Sequence, residues 1–187
     1  NRPDALTFVL VDYKGGAAFA DCERLPHTVG MVTNLDPRGT ERALESLDAE
    51  LERREAALRD LGAKDADAAW ERDPRAAADR GLGRLVLVID EFAELKSELP
   101  EFVDGLVRIA RVGRSLGVHL VLATQRPSGQ ITAEMQSNTN LRVALRVTDK
   151  GDSTDVLGSA EAASISSRLP GRGYARRGVG VAPAQFQ

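Results

Sequence analysis

The chain alternates between short apolar runs and longer amphipathic stretches. Three mainly apolar runs, at residues 6–11, 85–89 and 118–123, have the length and content of strands buried on both faces of a sheet. A shorter run of the same kind covers residues 29–33. Strands separated by helical stretches predict an α/β fold in which a mostly parallel sheet is flanked by helices.

Two stretches have the apolar period of a helix that packs on a sheet. Residues 40–61 place leucines on one face and charged residues on the other, which predicts a solvated charged face and an N-cap at Thr40. Residues 102–116 repeat the pattern, and residues 92–100 before them are predicted to form a short connection. The segment 63–83 is rich in alanine and charge, which predicts a partly helical surface insertion.

The last third of the chain has shorter elements. Residues 141–147 alternate as a half-buried strand does, and Asp152 is placed to cap a short helix over residues 153–157. Arginines at positions 168, 172, 176 and 177 follow with no acidic residue among them. At 187 residues the chain has the length of one domain with its own core, and it shows no internal repeats, so we predict one domain over residues 1–187.

The amino-acid composition mainly excludes certain classes of protein. Lys plus Arg is 25 and Asp plus Glu is 28 in 187 residues, a formal net charge of -3, so charge alone does not argue for a nucleic-acid partner. One cysteine excludes a disulfide framework, and two distant histidines give no metal-ligand cluster. No apolar run nears the ~20 residues that cross a bilayer. Since the chain opens on Asn1 and enters a strand at once, we expect an N-terminally truncated, cytoplasmic fragment.

The ends of two predicted strands carry residues suited to phosphate chemistry. Asp90 and Glu91 follow the run at 85–89, and Thr124 and Gln125 end the next one. A right-handed strand-helix-strand unit brings these ends to one edge of the sheet, where open parallel sheets bind ligands. There an Asp can hold Mg²⁺ through water, a Glu can orient an attacking water, and an amide can contact a γ-phosphate.

The glycine-rich phosphate loop of such enzymes does not occur in the 187 residues. Gly15 and Gly16 follow Lys14 instead of preceding a Lys-Ser pair. Because nothing here cradles the β- and γ-phosphates, we expect this chain on its own to have no appreciable ATPase activity.

Five segments carry a family resemblance: Val-Asp-Tyr-Lys-Gly-Gly-Ala-Ala-Phe (11–19), Leu-Pro-His-Thr-Val-Gly (25–30), Leu-Val-Leu-Val-Ile-Asp-Glu-Phe (85–92), Gly-Arg-Ser-Leu-Gly-Val-His-Leu-Val-Leu-Ala-Thr-Gln-Arg-Pro (113–127) and Asn-Thr-Asn-Leu-Arg-Val-Ala-Leu-Arg-Val (138–147). Together they closely resemble FtsK/SpoIIIE-type ATPases, over nearly all of the chain outside 63–83. The Asp-Tyr-Lys-Gly-Gly segment is more similar to the actinobacterial type VII secretion (EccC-like) and forkhead-associated-domain-linked branch than to the DNA translocases, which usually have Asp-Pro-Lys there.

The resemblance implies a RecA-like P-loop NTPase core that uses ATP and Mg²⁺ and assembles into a ring, expected to be a hexamer. It implies that Asp90 is the Mg²⁺-site acid of a Walker B element, Glu91 the catalytic base, and Gln125, beside Thr124, the γ-phosphate sensor. It also implies a phosphate loop upstream of residue 1 and an arginine finger that acts in trans. Arg114 is the first candidate for that finger, and weaker candidates are Arg111, Arg126 and Arg142.

Two functions remain open at this stage. One is a motor that couples ATP hydrolysis to transport of a polymer, either a secreted polypeptide or double-stranded DNA. The arginines at 168–177 suit DNA phosphates, but the overall charge does not require DNA. The other is a non-hydrolysing RecA-like interaction module within a secretion or translocation complex. In either case we expect membrane association only through parts outside this chain.

Overall fold

The computed structural model describes residues 2–12, 18–33, 37–127, 129–178 and 180–187. The Lys14-Gly15-Gly16 segment after the first strand lies outside the described residues. The chain forms two compact units, an N-terminal unit of residues Asn1–Thr124 and a C-terminal unit of residues Gln125–Gln187. No helix within the described ranges is long and apolar enough to span a bilayer.

A four-stranded sheet forms the centre of the N-terminal unit. Its strands are β1 (Leu6–Asp12), β2 (Thr28–Thr33), β3 (Arg84–Asp90) and β4 (Val118–Leu122). They lie in the order β2-β1-β3-β4, and each neighbouring pair is parallel. The strands predicted from the apolar runs are therefore confirmed.

The central strand β3 is buried more deeply on one face than on the other. Leu85, Leu87 and Ile89 are at most 6% exposed, whereas Val86 and Val88 are half-buried. The prediction that this strand is buried on both faces is wrong, because alternate side chains point to opposite faces and only one face is fully covered in the described structure.

Five helices and two 3₁₀ turns complete the N-terminal unit, within its described residues. The helices are α1 (Pro37–Leu61), α2 (Ala66–Arg72), α3 (Pro74–Asp79), α4 (Phe92–Glu98) and α5 (Pro100–Gly113), and the 3₁₀ turns are Ala20–Cys22 and Arg114–Leu116.

Two predictions about helix boundaries in this unit are wrong. Helix α1 begins at Pro37, so Thr40 lies inside the helix and not at its N-cap position. Residues 92–100 are not a connection, because Phe92 begins the helix α4. Pro100 separates α4 from α5 by starting the second helix at its first turn, where a proline is tolerated.

The segment 63–83 is partly helical, as its composition predicts. Asp65 caps α2 by accepting a hydrogen bond from the backbone N–H of Ala68 at 2.7 Å. The indole Nε1 of Trp70 donates to the carbonyl oxygen of Leu82 at 2.7 Å. Small apolar side chains anchor the segment, since Ala66, Ala69 and Ala77 are at most 2% exposed.

The C-terminal unit contains a three-stranded antiparallel sheet, β5 (Leu141–Leu145), β6 (Gly173–Arg177) and β7 (Ala184–Phe186), in that order. Its helices are α6 (Ala133–Asn138) and α7 (Lys150–Leu157), with a 3₁₀ turn at Glu161–Ser164. Asp149 caps α7 by accepting from the N–H of Gly151 at 2.6 Å, so the predicted cap at Asp152 is wrong. A small core holds the unit together: Ala144, Leu157, Ala162 and Ile165.

Candidate functional site

The carboxyl ends of the parallel strands gather acidic residues at one edge of the sheet. Strands β1 and β3 pair in a register that sets Asp12 beside Asp90. The link between β3 and β4 continues past the strand ends, because the N–H of Phe92 donates to the carbonyl oxygen of Ala123 at 2.9 Å. Asp90, Glu91 and the residues that follow β4 therefore share this edge, as the handedness argument predicts.

Glu91 has an unusual backbone conformation at this edge. Its φ of 53° and ψ of 42° lie in the left-handed region, and it is the only non-glycine with positive φ among the described residues. This conformation costs about 1–2 kcal/mol for a residue with a Cβ. Residues held in such strain are concentrated at active sites.

The surroundings of Glu91 hold it in this position. Glu91 is only 6% exposed, and its N–H donates to the Oδ1 of Asp90 at 3.0 Å. Its carbonyl oxygen accepts from the N–H of Glu94 at 3.0 Å, in the first turn of α4. One hydrogen bond thus joins the backbone of Glu91 to the carboxylate of Asp90, the two residues that the sequence assigns to the site.

Asp12 is an additional acidic residue at this edge that the sequence-based site did not include. It is 3% exposed, and its Oδ2 accepts from the N–H of Ala18 at 3.1 Å. The sequence contained the signal for it, because Asp12 ends an apolar strand in the same way as Asp90 does.

These carboxylates suit Mg²⁺ better than a metal that needs a cage of protein ligands. In the described part of the chain, no group of three or more His, Cys, Asp or Glu side chains could hold a metal ion. Mg²⁺ usually keeps several waters and binds through one or two carboxylates together with substrate phosphates. Asp90, at the strand end, fits that limited role.

The two polar residues after β4 have different surroundings. Thr124 is half-buried and closes the N-terminal unit, two residues beyond the end of β4. Gln125 is exposed and is the first residue of the C-terminal unit. The structure therefore brings Asp90, Glu91 and Thr124 to one edge of one unit.

Arg114 lies at the other end of the sheet. It begins the 3₁₀ turn that precedes β4, and the N–H of Leu85, near the start of β3, donates to the carbonyl oxygen of Gly117 at 2.9 Å. At about 3.3 Å per residue, the length of β3 separates the two ends by roughly 20 Å, which is far more than an arginine side chain can span. The exposed Arg114 therefore cannot contact a nucleotide held by Asp90 and Glu91 of its own chain.

The weaker finger candidates also lie in different places. Arg111 is exposed on α5, and Arg126 is exposed in the C-terminal unit. Arg142 is half-buried, and its Nη2 donates to the carbonyl oxygen of Gln136 at 2.9 Å. Burial and the nearby Arg176 lower the pKa of Arg142. Arg142 is therefore committed to contacts inside its own unit.

Comparison with known proteins identifies the family. The profile of the FtsK/SpoIIIE family matches residues 1–129. The chain belongs to the FtsK/SpoIIIE family. The resemblance found in the sequence is thereby confirmed, together with the RecA-like P-loop fold.

The similar proteins include ATPases of type VII secretion systems. Type VII secretion system protein EssC of Staphylococcus aureus is 42% identical over 177 residues, 95% of this chain and 12% of that protein. The structure of the cytoplasmic domain of the Thermomonospora curvata type VII secretion ATPase EccC matches 99% of this chain and 22% of its own, with a TM-score of 0.86 and 35% identity. The ATPases 2 and 3 of the same EccC, in complex with a signal sequence peptide, match 92% of this chain and 31% of their own, with a TM-score of 0.77 and 26% identity. The chain thus spans about an eighth of the curated relative's length.

Proposed function

We propose that the chain is part of the ATP-binding motor domain of a type VII secretion translocase, in which ATP hydrolysis drives transport of a polypeptide. The observation that carries this proposal is the buried, left-handed Glu91 bonded to Asp90 at the carboxyl edge of a FtsK/SpoIIIE-family sheet. We further propose that both units belong to one RecA-like domain. The match of T. curvata EccC to 99% of the chain supports this.

Each residue at the carboxyl edge has a proposed task. Asp90 holds Mg²⁺ through water, and the bound ion supplies neutralisation of phosphate charge. Glu91 orients the water that attacks the γ-phosphate, and its left-handed backbone fixes the direction in which the side chain leaves the main chain before ATP arrives. Gln125, with Thr124, senses the γ-phosphate. The 187 residues themselves contain no glycine-rich phosphate loop.

The position of Arg114 supports a ring. An exposed arginine at the end of the sheet away from Glu91 can complete an ATP site only on a neighbouring subunit. We therefore propose that the protein assembles into a ring, which we expect to be a hexamer, with Arg114 as the finger that acts in trans. In P-loop NTPases such a finger increases hydrolysis about 10³–10⁵-fold.

Polypeptide is a better-supported substrate than double-stranded DNA. The S. aureus relative EssC belongs to a type VII secretion system, and an EccC structure was solved with a signal sequence peptide. Two of the arginines that could meet DNA phosphates make contacts inside the chain. The Nε of Arg172 donates to the Oε1 of Gln187 at 2.7 Å, and Arg176 donates to the carbonyl oxygen of Leu157.

We propose that the chain lies on the cytoplasmic side of a membrane-associated protein. The matching EccC structure is a cytoplasmic domain, which supports this location. Membrane attachment would then come from parts outside this chain.

The test is a substrate comparison with the protein as the cell makes it. ATP hydrolysis is measured alone, with signal-sequence peptides from candidate secreted proteins, and with double-stranded DNA. We expect peptides to stimulate hydrolysis and DNA to leave it unchanged. Stimulation by DNA and not by peptides would favour the DNA-translocase function instead. The absence of hydrolysis under all three conditions would support the non-hydrolysing interaction module.

A further inference from the structure

A buried arginine connects helix α1 to the turn that carries Arg114. Arg54 is 3% exposed, although its helix position predicts a solvated face. Its Nε donates to the Oε1 of Glu50 at 2.6 Å, one helical turn away. Its Nη1 donates to the carbonyl oxygen of Leu116 at 2.9 Å, across 62 positions of the sequence.

The carbonyl that Arg54 binds is the last one of the 3₁₀ turn. The backbone fixes the same turn in two other places. The N–H of Gly117 donates to the carbonyl oxygen of Arg114 at 3.2 Å, and the N–H of Leu85 donates to that of Gly117 at 2.9 Å. Arg54 therefore adds a side-chain anchor to a turn that is otherwise fixed by its own backbone and by β3.

Gly117 permits the close approach of the guanidinium. Its φ is +73°, which a residue with a Cβ adopts only under strain. A Cβ at this position would lie 3.1 Å from the Cβ of Ala66 and 3.4 Å from the Nη1 of Arg54. A glycine at position 117 therefore leaves room for the guanidinium beside the backbone.

A charged group is an expensive choice for a buried position. Desolvating a guanidinium is unfavourable unless its donors find acceptors, and an apolar residue of similar size often packs there with equal or better stability. Bulk packing of α1 therefore does not by itself account for an arginine. What the arginine adds over an apolar residue is a directed hydrogen bond to the carbonyl oxygen of Leu116, in the turn that Arg114 begins.

The neighbouring Arg53 provides a contrast. It donates to the same carboxylate, from Nε to the Oε2 of Glu50 at 2.7 Å. Its Nη1 donates to the carbonyl oxygen of Arg80 and its Nη2 to that of Gly81, each at 2.8 Å, and neither donates to the turn. The same Nη2 also donates to the Oε1 of Glu50 at 2.8 Å. The two arginines share one anion and differ in the carbonyls that they hold.

We propose that Arg54 is a positioning residue for Arg114, which sets where the finger stands when it reaches the ATP site of a neighbouring subunit. The proposal rests on the proposed trans role of Arg114. The matched variants are Arg54→Met and Arg53→Met, because each removes one guanidinium and leaves Glu50 paired with the other.

A structural readout comes first, in the protein as the cell makes it. Amide hydrogen exchange is measured at Gly117, whose N–H closes the turn. We expect at least about tenfold faster exchange in Arg54→Met and little change in Arg53→Met, because only Arg54 holds the adjacent carbonyl. Equal exchange at Gly117 in the two variants would overturn the proposal.

A mixing experiment then separates action in trans from damage to the variant's own ATP site. Glu91→Gln subunits keep an intact finger but lack the proposed base. We expect Arg54→Met alone to hydrolyse ATP at least about tenfold more slowly than the unmodified protein, because a finger contributes about 10³–10⁵-fold and this one is displaced and not removed. Mixed with Glu91→Gln subunits, it should recover hydrolysis, as Arg114→Ala does, and Arg53→Met should need no recovery.

The outcomes distinguish the positioning role of Arg54 from the proposed role of Arg114 in trans. If Arg114→Ala recovers on mixing and Arg54→Met does not, Arg54 acts on its own ATP site and the positioning role is overturned, while the proposed function stands. If Arg114→Ala fails to recover, the trans finger and the positioning role both fall. Arg54→Lys, which keeps the buried charge, replaces Arg54→Met if that variant does not fold; hydrolysis by Arg54→Lys equal to that of the unmodified protein would overturn the proposal.

Discussion

The two ends of the parallel sheet hold their key residues by different means. At the carboxyl edge, Glu91 is buried and fixed by its own left-handed backbone and by the first turn of α4. At the opposite end, Arg114 is exposed, and the distant Arg54 anchors the turn that carries it. A buried carboxylate can be positioned by strain in its own backbone, whereas an exposed arginine depends on support for its turn. Substitutions at the two ends should therefore impair the protein in different ways.

The largest expected effect is on the packing behind the carboxyl edge. Phe92 is 2% exposed and begins α4 directly after Glu91. We expect Phe92→Ala to lower the free energy of unfolding by about 3–5 kcal/mol, because it leaves a cavity where an aromatic ring was buried. Urea unfolding of the 187-residue chain measures this.

The control for that change is Ser97→Ala on the same helix. Ser97 is exposed, so its replacement should stay within about 0.5 kcal/mol. A loss of less than about 1 kcal/mol in Phe92→Ala would mean that α4 does not hold the edge in place.

A smaller effect tests the strain at Glu91 itself. Glu91→Gly should be about 1 kcal/mol more stable than Glu91→Ala, because only glycine adopts a φ of 53° without a steric penalty. Both variants should lose ATP hydrolysis, since both lack the carboxylate. Urea unfolding compares their stabilities, and a more stable Ala variant would show that the left-handed conformation does not persist in solution.

The sequence predicted the carboxyl edge better than the other end. Handedness and strand order depend on the backbone, so the edge shared by Asp90 and Thr124 followed from spacing alone. The left-handed conformation of Glu91 could not be predicted, because the residue type disfavours it and only tertiary contacts impose it. Helix α4 was missed because its buried face is only Phe92, Ala93 and Leu95, too short to establish a period before Pro100.

At the opposite end, the burial of Arg54 could not be predicted for another reason. Arg54 has the spacing of a solvated helix face beside Glu50, and nothing in a helical pattern indicates that one charged residue on that face is covered. The partner that covers it, the carbonyl of Leu116, is a backbone atom and has no sequence signature. Contacts of this kind become visible only when the elements are packed.

The smallest expected effect concerns pH at that end. Burial alone would raise the pKa of Glu50, but the hydrogen bonds and charges of Arg53 and Arg54 outweigh it, so the pKa lies below its usual 4.5. A lowered carboxyl pKa contributes stability above pH 4.5, and the contribution is lost as the pH falls through the lowered value. We expect this contribution to be up to about 1 kcal/mol, as for other partly exposed pairs.

Urea unfolding at pH 7 and pH 3 checks that contribution. The loss of stability between the two values should be smaller in Glu50→Gln than in the unmodified chain. Glu55→Gln is the control, because Glu55 is exposed and its oxygen lies 3.9 Å from Arg59. Equal pH dependence in Glu50→Gln and in the unmodified chain would show that the ion pairs of Glu50 do not contribute to stability.

The most direct test of the central claim is ATP hydrolysis by the Glu91→Gln variant of the protein as the cell makes it. The amide keeps the size of the side chain and removes its ability to accept a proton. We expect nucleotide binding to be retained and hydrolysis to fall by at least about 100-fold, the usual contribution of a positioned base. Unchanged turnover in Glu91→Gln would contradict the assignment of the carboxyl edge as the site of hydrolysis.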